Sequence, residues 1–193
     1  MKKPKMITPE QAKELEERLF WRYKTIFAVS VESGMRISDV LKLKCGDVKK
    51  NPLTVYETKS KRKRTFELSE KTFWELEWQA STGRASDYVF QSERDPKKHV
   101  HRSTVHRQIK KALTALEFDA SCHSARKLYA RNIYDATNSV YAVQEALHHQ
   151  KLSTTLRYLD FPQQNEPEIR KKATKFQNIC NRFNNWVKKL FRR

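Results

Sequence analysis

The amino-acid sequence predicts a mainly α-helical fold with a small antiparallel β-sheet, an α+β class. Apolar residues recur at helical spacing along most of the 193 residues, whereas only two short stretches are rich in β-branched and aromatic residues. The chain has three glycines, which is few for a protein of many strands and tight turns. Its length allows one substantial core but is short for two, so we expect a single globular domain with tails.

Local capping signals place the helices. Thr8 is predicted to be an N-cap, with Pro9 at the first helical position and Gln11 closing a capping box. Gly34 can adopt the left-handed conformation that ends a helix, and it follows a second apolar stretch, 23–31. Further helical patterns cover residues 38–46, 70–80, 103–116, 123–136, 140–147 and 154–159.

The charge of the chain indicates a polyanionic partner. Forty Lys and Arg residues against 22 Asp and Glu give a net charge of +18, with a pI near 9.9. Such a balance suits nucleic acid and makes affinity steeply salt-dependent through counterion release. A basic protein of another class, ribosomal or secreted, would have the same charge, so composition alone leaves both open.

A basic β-hairpin is predicted in the first half of the chain. Segments 53–58 and 65–68 have strand composition and flank the run Lys-Ser-Lys-Arg-Lys-Arg at 59–64. A run of this kind also occurs in nuclear-localisation signals and in solvated loops. Its place between two strands favours a contact with DNA.

The last 24 residues, 170–193, form a second basic segment. They contain nine Lys or Arg and no acidic residue. Apolar residues recur there at the spacing of an amphipathic helix: Phe176, Ile179, Phe183, Trp186, Val187 and Leu190. Docking onto the chain's own core and docking onto a neighbouring protomer are equally compatible with this pattern.

Cysteine usage and hydropathy indicate a reducing, cytoplasmic setting. The cysteines are odd in number, widely spaced and lack a C-x-x-C pair, so the sequence predicts neither a disulfide framework nor a structural zinc site. The start of the chain lacks the apolar region of a signal peptide, and no apolar run approaches 18 residues. The three cysteines are Cys45, Cys122 and Cys180.

Two other groups of residues are assigned no site. Trp74 and Trp78 lie on the apolar face of a predicted helix, which indicates core residues more than base-stacking ones. Three histidines suggest a metal, but they lack a Cys or acidic partner, so phosphate contact or solvation is the favoured interpretation. They are His99, His101 and His106.

Five reactive positions follow one another in a recognisable order. Arg36 lies in Ser-Gly-Met-Arg-Ile-Ser-Asp, and Lys59 opens the hairpin tip. The run His-Ser-Ala-Arg at 123–126 then precedes Leu-His-His at 147–149, and Tyr158 lies nine residues beyond His149, after Thr-Thr. Over residues 8–160 this order resembles the catalytic domain of the tyrosine recombinases, or phage-type integrases. Their pattern is Arg, Lys, His-x-x-Arg, a further His and a nucleophilic Tyr.

The resemblance implies that Tyr158 attacks a DNA phosphate and forms a 3′-phosphotyrosyl bond. Arg36 and Arg126 would hold the non-bridging oxygens, since guanidinium groups bind phosphate bidentately. His123 is the candidate base and Lys59 the acid for the leaving 5′ oxygen, chosen over Lys61 and Lys63 because it matches the family's position. The implied catalytic set is Arg36, Lys59, His123, Arg126, His149 and Tyr158, with DNA contacts from Lys61, Arg62, Lys63 and Arg64.

The sequence departs from the family pattern at several positions. His148 stands where the family usually has Gly, and Ala125 replaces Leu. Lys127 stands where a second His is common, and Asp160 where the family often has His. Of the two adjacent histidines, His149 has the spacing to Tyr158 that the family shows.

The resemblance also implies an organisation and a set of partners. Residues 1–165 would form the catalytic domain and 166–193 a tail helix, with no N-terminal core-binding domain. The enzyme would act on double-stranded DNA without metal, ATP or other cofactor. It would work as a homo-oligomer, a tetramer on paired sites that exchanges tails, near the bacterial or phage-infected nucleoid and not at a membrane.

Two other functions share part of this pattern. A type IB topoisomerase or a telomere resolvase has a similar active site but differs in the fate of the cleaved strand. A DNA-binding regulator without catalysis is the alternative from another class, although every reactive position of the family is filled here.

Overall fold

Eight α-helices and one antiparallel pair of strands make up the part of the chain that this computed structural model describes, residues 6–58, 62–117 and 120–161. The predicted class, mainly α with a small antiparallel sheet, is confirmed. In chain order the elements are α1 (Pro9–Arg18), α2 (Trp21–Ser33), α3 (Ile37–Val40), β1 (Leu53–Tyr56), β2 (Lys63–Phe66), α4 (Glu70–Ala80), α5 (Arg102–Ala115), α6 (Cys122–Thr137), α7 (Val140–Ala146) and α8 (Leu152–Tyr158).

The caps predicted for the first two helices are confirmed. The Gln11 backbone N–H donates to Thr8 Oγ1 at 3.2 Å, and the Thr8 N–H donates to Gln11 Oε1 at 3.0 Å. Gly34 ends α2 with φ of 66°, the left-handed conformation that a residue with a Cβ adopts at a cost. This turn brings the chain directly to Arg36.

The helix predicted over 38–46 is wrong in extent. Helix α3 covers only Ile37–Val40, and a separate 3₁₀ turn forms at Cys45–Asp47. The Asp39 carboxylate accepts a hydrogen bond from the Thr58 backbone N–H at 3.3 Å and lies 3.8 Å from Arg36 Nη1. Asp39 therefore contacts Thr58 and Arg36 instead of capping a helix, which is the role that its position in the sequence suggests.

Strands β1 and β2 pair from Leu53 opposite Phe66 to Tyr56 opposite Lys63. Side chains alternate between buried and exposed along both strands. The buried set includes Arg64, whose neighbours in the sequence are exposed. The hairpin tip, with Lys59 and Lys61, lies outside the described residues.

The chain divides into two compact units between Leu128 and Tyr129, within α6, where the sequence led us to expect one domain. The first unit has a core that includes Phe27, Leu41 and Phe90. The core of the second includes Val143 and Leu156, from α7 and α8. The expected border between the catalytic domain and the tail, at 165–166, lies outside the described residues.

The expectation that Trp74 and Trp78 are core residues is wrong. Their exposed fractions are 64% and 55%. Helix α4 instead buries Thr72, Leu76 and Gln79. The two tryptophans are four residues apart and so share another face of this helix.

The end of α7 contains a residue under backbone strain. His148 has φ of 51°, and its N–H donates to the Glu145 carbonyl while that of His149 donates to the Gln144 carbonyl, both at 2.9 Å. This pair of bonds is a Schellman motif, in which glycine is the favoured residue at the left-handed position.

We therefore expect His148→Gly to be more stable than His148→Ala. Both changes remove the imidazole, but alanine keeps the left-handed strain, so the free energies of unfolding should differ by about 1 kcal/mol. Urea denaturation of the two variants measures this difference. Equal stability of the two would contradict the assigned strain.

Candidate active site

Arg36 is held on a turn whose backbone is fixed by two buried hydroxyl groups. Ser30 Oγ donates to the Met35 carbonyl at 2.7 Å, and Ser33 Oγ accepts from the Met35 N–H at 3.1 Å. Both serines are fully buried. The turn therefore places the Arg36 guanidinium at a defined point at the start of α3.

The buried carboxylate of Glu57 gathers three arginines. Arg64 Nε donates to Glu57 Oε1 at 2.6 Å. Arg36 Nη1 lies 3.9 Å from Glu57 Oε2, and Arg126 Nη1 lies 4.0 Å from Oε1. The Glu57 side chain has no exposed surface. Sequence reasoning missed this residue, because it is a single acid at the end of a strand with no motif around it.

Arg126 is the most deeply buried of the three arginines, with 2% of its side chain exposed against 5% for Arg64 and 24% for Arg36. It also donates to the Gly34 carbonyl. The turn after α2 and helix α6 are thereby linked through one guanidinium. Arg36 keeps the largest accessible surface of the set.

These residues form an electropositive cluster. Asp39 and Glu57 supply two carboxylates, and the arginines supply three guanidinium groups. Among the described residues, Arg36 Nη1 and Asp39 Oδ2 are buried and have no hydrogen-bond partner. The five side chains carry one net positive charge, which favours an anion at the exposed edge of Arg36.

His123 lies three residues before Arg126, at the start of α6. The residue retains solvent exposure. Desolvation by the protein atoms around the ring lowers the pKa of His123 below its usual 6.5, and the nearby Arg102, Arg126 and His106 lower it further. The imidazole is therefore mostly neutral at pH 7 and can accept a proton.

Helix α5 supplies cations that sequence reasoning did not assign to the site. Arg102 and His106 lie near enough to His123 to act on its pKa. Helix α5 contains basic residues and no acidic residue. This excess of positive charge is visible in the sequence and could have indicated that the helix contributes to the site. Its exposed basic side chains are Arg102, His106, Arg107, Lys110 and Lys111.

The hairpin residues predicted to contact DNA differ in placement. Arg62 and Lys63 are exposed. Arg64 is 5% exposed, and besides its bond to Glu57 it donates to the Ser33 carbonyl at 3.0 Å. This burial argues against the expected DNA contact and gives Arg64 a positioning role, because the β2 alternation turns it inward.

In the second unit, His149 and Tyr158 lie side by side. Their ring centroids are 5.1 Å apart with the planes at 65°. His149 Nδ1 is hydrogen-bonded to Thr155 Oγ1 at 3.0 Å, and Thr155 is fully buried on α8. The second threonine of the Thr-Thr pair therefore orients the histidine, while Tyr158 remains half-buried.

The structure brings the predicted residues together in two groups. Arg36, His123 and Arg126 belong to the first unit, and His149 and Tyr158 to the second. Within the described ranges, no group of three or more His, Cys, Asp or Glu side chains could hold a metal ion. No helix in these ranges is long and apolar enough to cross a membrane.

Comparison with known proteins identifies integrases and recombinases as relatives of this chain. The probable integrase/recombinase YoeC of Bacillus subtilis is 28% identical over 155 residues, covering 78% of this chain and 85% of that protein. A tyrosine recombinase of Thermosipho africanus is 31% identical over 155 residues, covering 78% of this chain. The chain spans 54% of that recombinase and 64% of the XerA recombinase of Pyrococcus horikoshii.

Solved structures have the same fold. The XerA recombinase superposes with a TM-score of 0.69 at 21% identity, over 90% of this chain and 66% of that one. The catalytic core of lambda integrase gives 0.60 at 18% identity, over 76% of this chain and 92% of that one. The model of the phage integrase family matches residues 5–165. This chain belongs to the phage integrase family.

Proposed function

We propose that this chain is a site-specific recombinase or integrase that cleaves and rejoins DNA through a 3′-phosphotyrosyl intermediate on Tyr158. The observation that carries the proposal is the pairing of Tyr158 with His149, whose ring is fixed by Thr155. Related enzymes support it, since the XerH recombinase has been solved with its difH substrate in a pre-cleavage complex.

The chemistry depends on the roles of a few side chains. The Tyr158 oxygen bonds to phosphorus as the bond from phosphorus to the 5′ oxygen breaks. His123 accepts the phenolic proton, which its lowered pKa permits. Arg36 and Arg126 bind the non-bridging oxygens as negative charge develops. Lys59, which lies outside the described residues, would protonate the leaving oxygen.

The reaction conserves the energy of the phosphodiester. The phosphotyrosyl bond stores it, and a 5′ hydroxyl can attack that bond to rejoin a strand. We therefore propose that neither ATP nor a metal ion takes part. The charge-stabilising role that a metal ion has in other phosphoryl transfers would be filled here by the arginines of the Glu57 cluster.

The proposed DNA interface extends from this cluster along two basic surfaces. One is the hairpin, with Lys59, Lys61, Arg62 and Lys63. The other is the exposed basic surface of helix α5, on which Arg102 lies close enough to His123 to lower its pKa. A cleft of about 470 Å³ beside the start of α5 is lined by Arg22, Arg94 and Arg107. Phosphate contacts of this kind position DNA without reading its sequence.

We further propose that the enzyme works as a homo-oligomer, a tetramer on paired DNA sites, in the cytoplasm near the nucleoid. Exchange of segment 166–193 between protomers would join the subunits. A type IB topoisomerase would instead relax supercoils as a monomer. Strand exchange between two labelled duplexes distinguishes these activities, and a regulator without catalysis would perform neither.

Replacement of Tyr158 by Phe is expected to abolish covalent capture of DNA. The protein is incubated with a pool of nicked suicide duplexes of random sequence, and adducts are separated on a denaturing gel. Tyr141→Phe is the matched control, since Tyr141 is another half-buried tyrosine of the second unit. An adduct that persists in Tyr158→Phe would show that Tyr158 is not the nucleophile.

Thr155 is expected to act through His149. Thr155→Val keeps the shape of the side chain but removes the hydrogen bond to Nδ1, so the single-turnover rate of adduct formation should fall roughly 3- to 10-fold. Thr155→Ser keeps the hydroxyl and should restore most of that rate. Equal losses in the two variants would argue for a packing role alone.

The lowered pKa of His123 predicts how cleavage depends on pH. The base is neutral above its lowered pKa, so the acid limb of the adduct rate at low DNA concentration should have its midpoint below pH 6.5. His123→Gln should be slower and lack this acid limb. The same shift destabilises the fold as pH falls, because the unfolded chain binds the proton more tightly.

Circular dichroism at each pH therefore accompanies the rate measurements, so that loss of chemistry is separated from unfolding. An acid limb of unchanged midpoint in His123→Gln would assign the titration to another group.

A further inference from the structure

Four large aromatic side chains are exposed on one face of the first unit. Phe20 is 67% exposed, Trp21 41%, Trp74 64% and Trp78 55%. They come from the start of α2 and from α4. We call this surface the tryptophan face. Among the described residues, one other large hydrophobic side chain has comparable exposure, Tyr56 on β1 at 75%.

The rings of the tryptophan face pack on one another and border a groove. Trp21 and Trp78 meet edge to face, with ring centroids 5.2 Å apart, and Phe20 lies at a tilt 5.9 Å from Trp21. A mainly apolar groove of about 360 Å³ lies among Trp21, Trp74 and Trp78. A contiguous apolar patch of this kind marks a binding surface, and tryptophan is the residue most typical of binding hot spots.

The exposed aromatic area is large enough to hold two copies of the chain together. A fully exposed aromatic side chain presents roughly 150–250 Å², so the four partial exposures amount to about 450 Å² on each copy. Two such faces in contact would bury about 900 Å² of aromatic surface. Specific interfaces begin at about 1,000–1,200 Å² in total, and the polar side chains around the groove supply the remainder.

The charged rim of the face is complementary to itself. Lys24 and Glu75 border the groove. On α4, the exposed Lys71 and Glu77 lie three residues before and three residues after Trp74, so they share its side of the helix. These four groups, which we call the rim, comprise two cations and two carboxylates. A two-fold symmetric contact sets one patch against an identical patch, and a balanced rim offers each charge an opposite one.

This balance of charge favours a second copy over two other occupants. A basic segment of the chain, such as 170–193, would meet as many ammonium groups as carboxylates in the rim. A single DNA strand stacked on the tryptophans would find in the rim no excess of cations to hold its phosphates. An identical face satisfies the apolar groove and the balanced rim together.

We propose that two copies of this chain associate without DNA through their tryptophan faces, as a two-fold symmetric dimer in which Lys24 of each copy approaches Glu75 of the other. Within one copy Lys24 Nζ lies 3.6 Å from Glu75 Oε1, and the two side chains keep 27% and 20% of their surface exposed. A two-fold axis beside this pair brings the same two groups of the second copy within reach. The dimer does not depend on the proposed recombination chemistry.

The location of the face leaves the candidate phosphate site open. Trp21 begins α2 and Arg36 follows its end, so the 13 residues of α2 separate the two by about 20 Å. A second copy on the tryptophan face therefore does not have to cover Arg36.

Sedimentation velocity of the nuclease-treated full chain tests the proposal. Concentrations up to about 100 μM cover the weak affinity expected of an interface this small. We expect a dimer that persists between about 0.1 M and 0.5 M salt, because salt screens the repulsion between two chains of net charge +18. Association through residual nucleic acid would instead weaken steeply over this range.

Removal of two tryptophans should dissociate the dimer. The double change Trp74→Gln and Trp78→Gln is expected to raise the dissociation constant at least about tenfold. Tyr56→Gln is the matched control, since Tyr56 is an exposed aromatic residue outside the face, and it should leave the dissociation constant unchanged.

A charge exchange between two variants tests the two-fold pairing directly. Lys24→Glu and Glu75→Lys each set like charges against each other in their own dimers, so each variant alone should associate at least about tenfold more weakly. In an equimolar mixture, the introduced charge of one variant faces the opposite charge of the other. The mixed dimer should therefore be at least about tenfold tighter than either variant's own dimer.

Three results would overturn the proposal. They are a chain that stays monomeric at about 100 μM, a dimer that survives the double tryptophan change, and a mixture that associates no more tightly than its components. A dimer lost on nuclease treatment or at high salt counts against it as well. Circular dichroism checks the fold of each variant, and the mixing experiment decides the outcome if the tryptophan variant does not fold.

Discussion

The buried carboxylate of Glu57 is the constraint on which the first unit of this protein depends. Three guanidinium groups, those of Arg36, Arg64 and Arg126, converge on it from separate elements. Buried arginines are costly without a partner, and an acid removed from among them would leave several charges uncompensated. One side chain at the end of β1 therefore fixes the strand β2, the turn after α2 and helix α6 with respect to one another.

This arrangement fixes the Arg126 guanidinium in the absence of DNA. Arg126 is almost fully buried and is held by the Gly34 carbonyl as well as by Glu57, so its orientation does not have to be found during the reaction. Arg36 faces outward by a larger fraction. Preorganised charge of this kind stabilises a transition state more effectively than groups that must reorient.

Local signals predicted the fold well, whereas the partners inside the site were not predictable. Thr8 and Gly34 act through neighbours a few residues away, so the sequence displays their roles. Glu57 and Arg64 look like ordinary residues of a basic hairpin, and only the strand alternation turns Arg64 inward. The prediction that Trp74 and Trp78 are core residues was wrong for a different reason. An apolar residue on a helix does not by itself reveal whether any other part of the protein covers it.

The two groups of predicted residues, one in each unit, are encoded over different distances along the chain. In the second unit, the Schellman turn at His148, the bond from His149 to Thr155 and the ring of Tyr158 all lie within 15 residues, from Gln144 to Tyr158. A spacing in the sequence is therefore enough to recognise them. The bond from Arg126 to Gly34 joins residues 92 positions apart, so the first unit must fold before its arginines form a site. A change in the hairpin or in α2 can thus disturb the arginines around Glu57 without touching a residue of the motif.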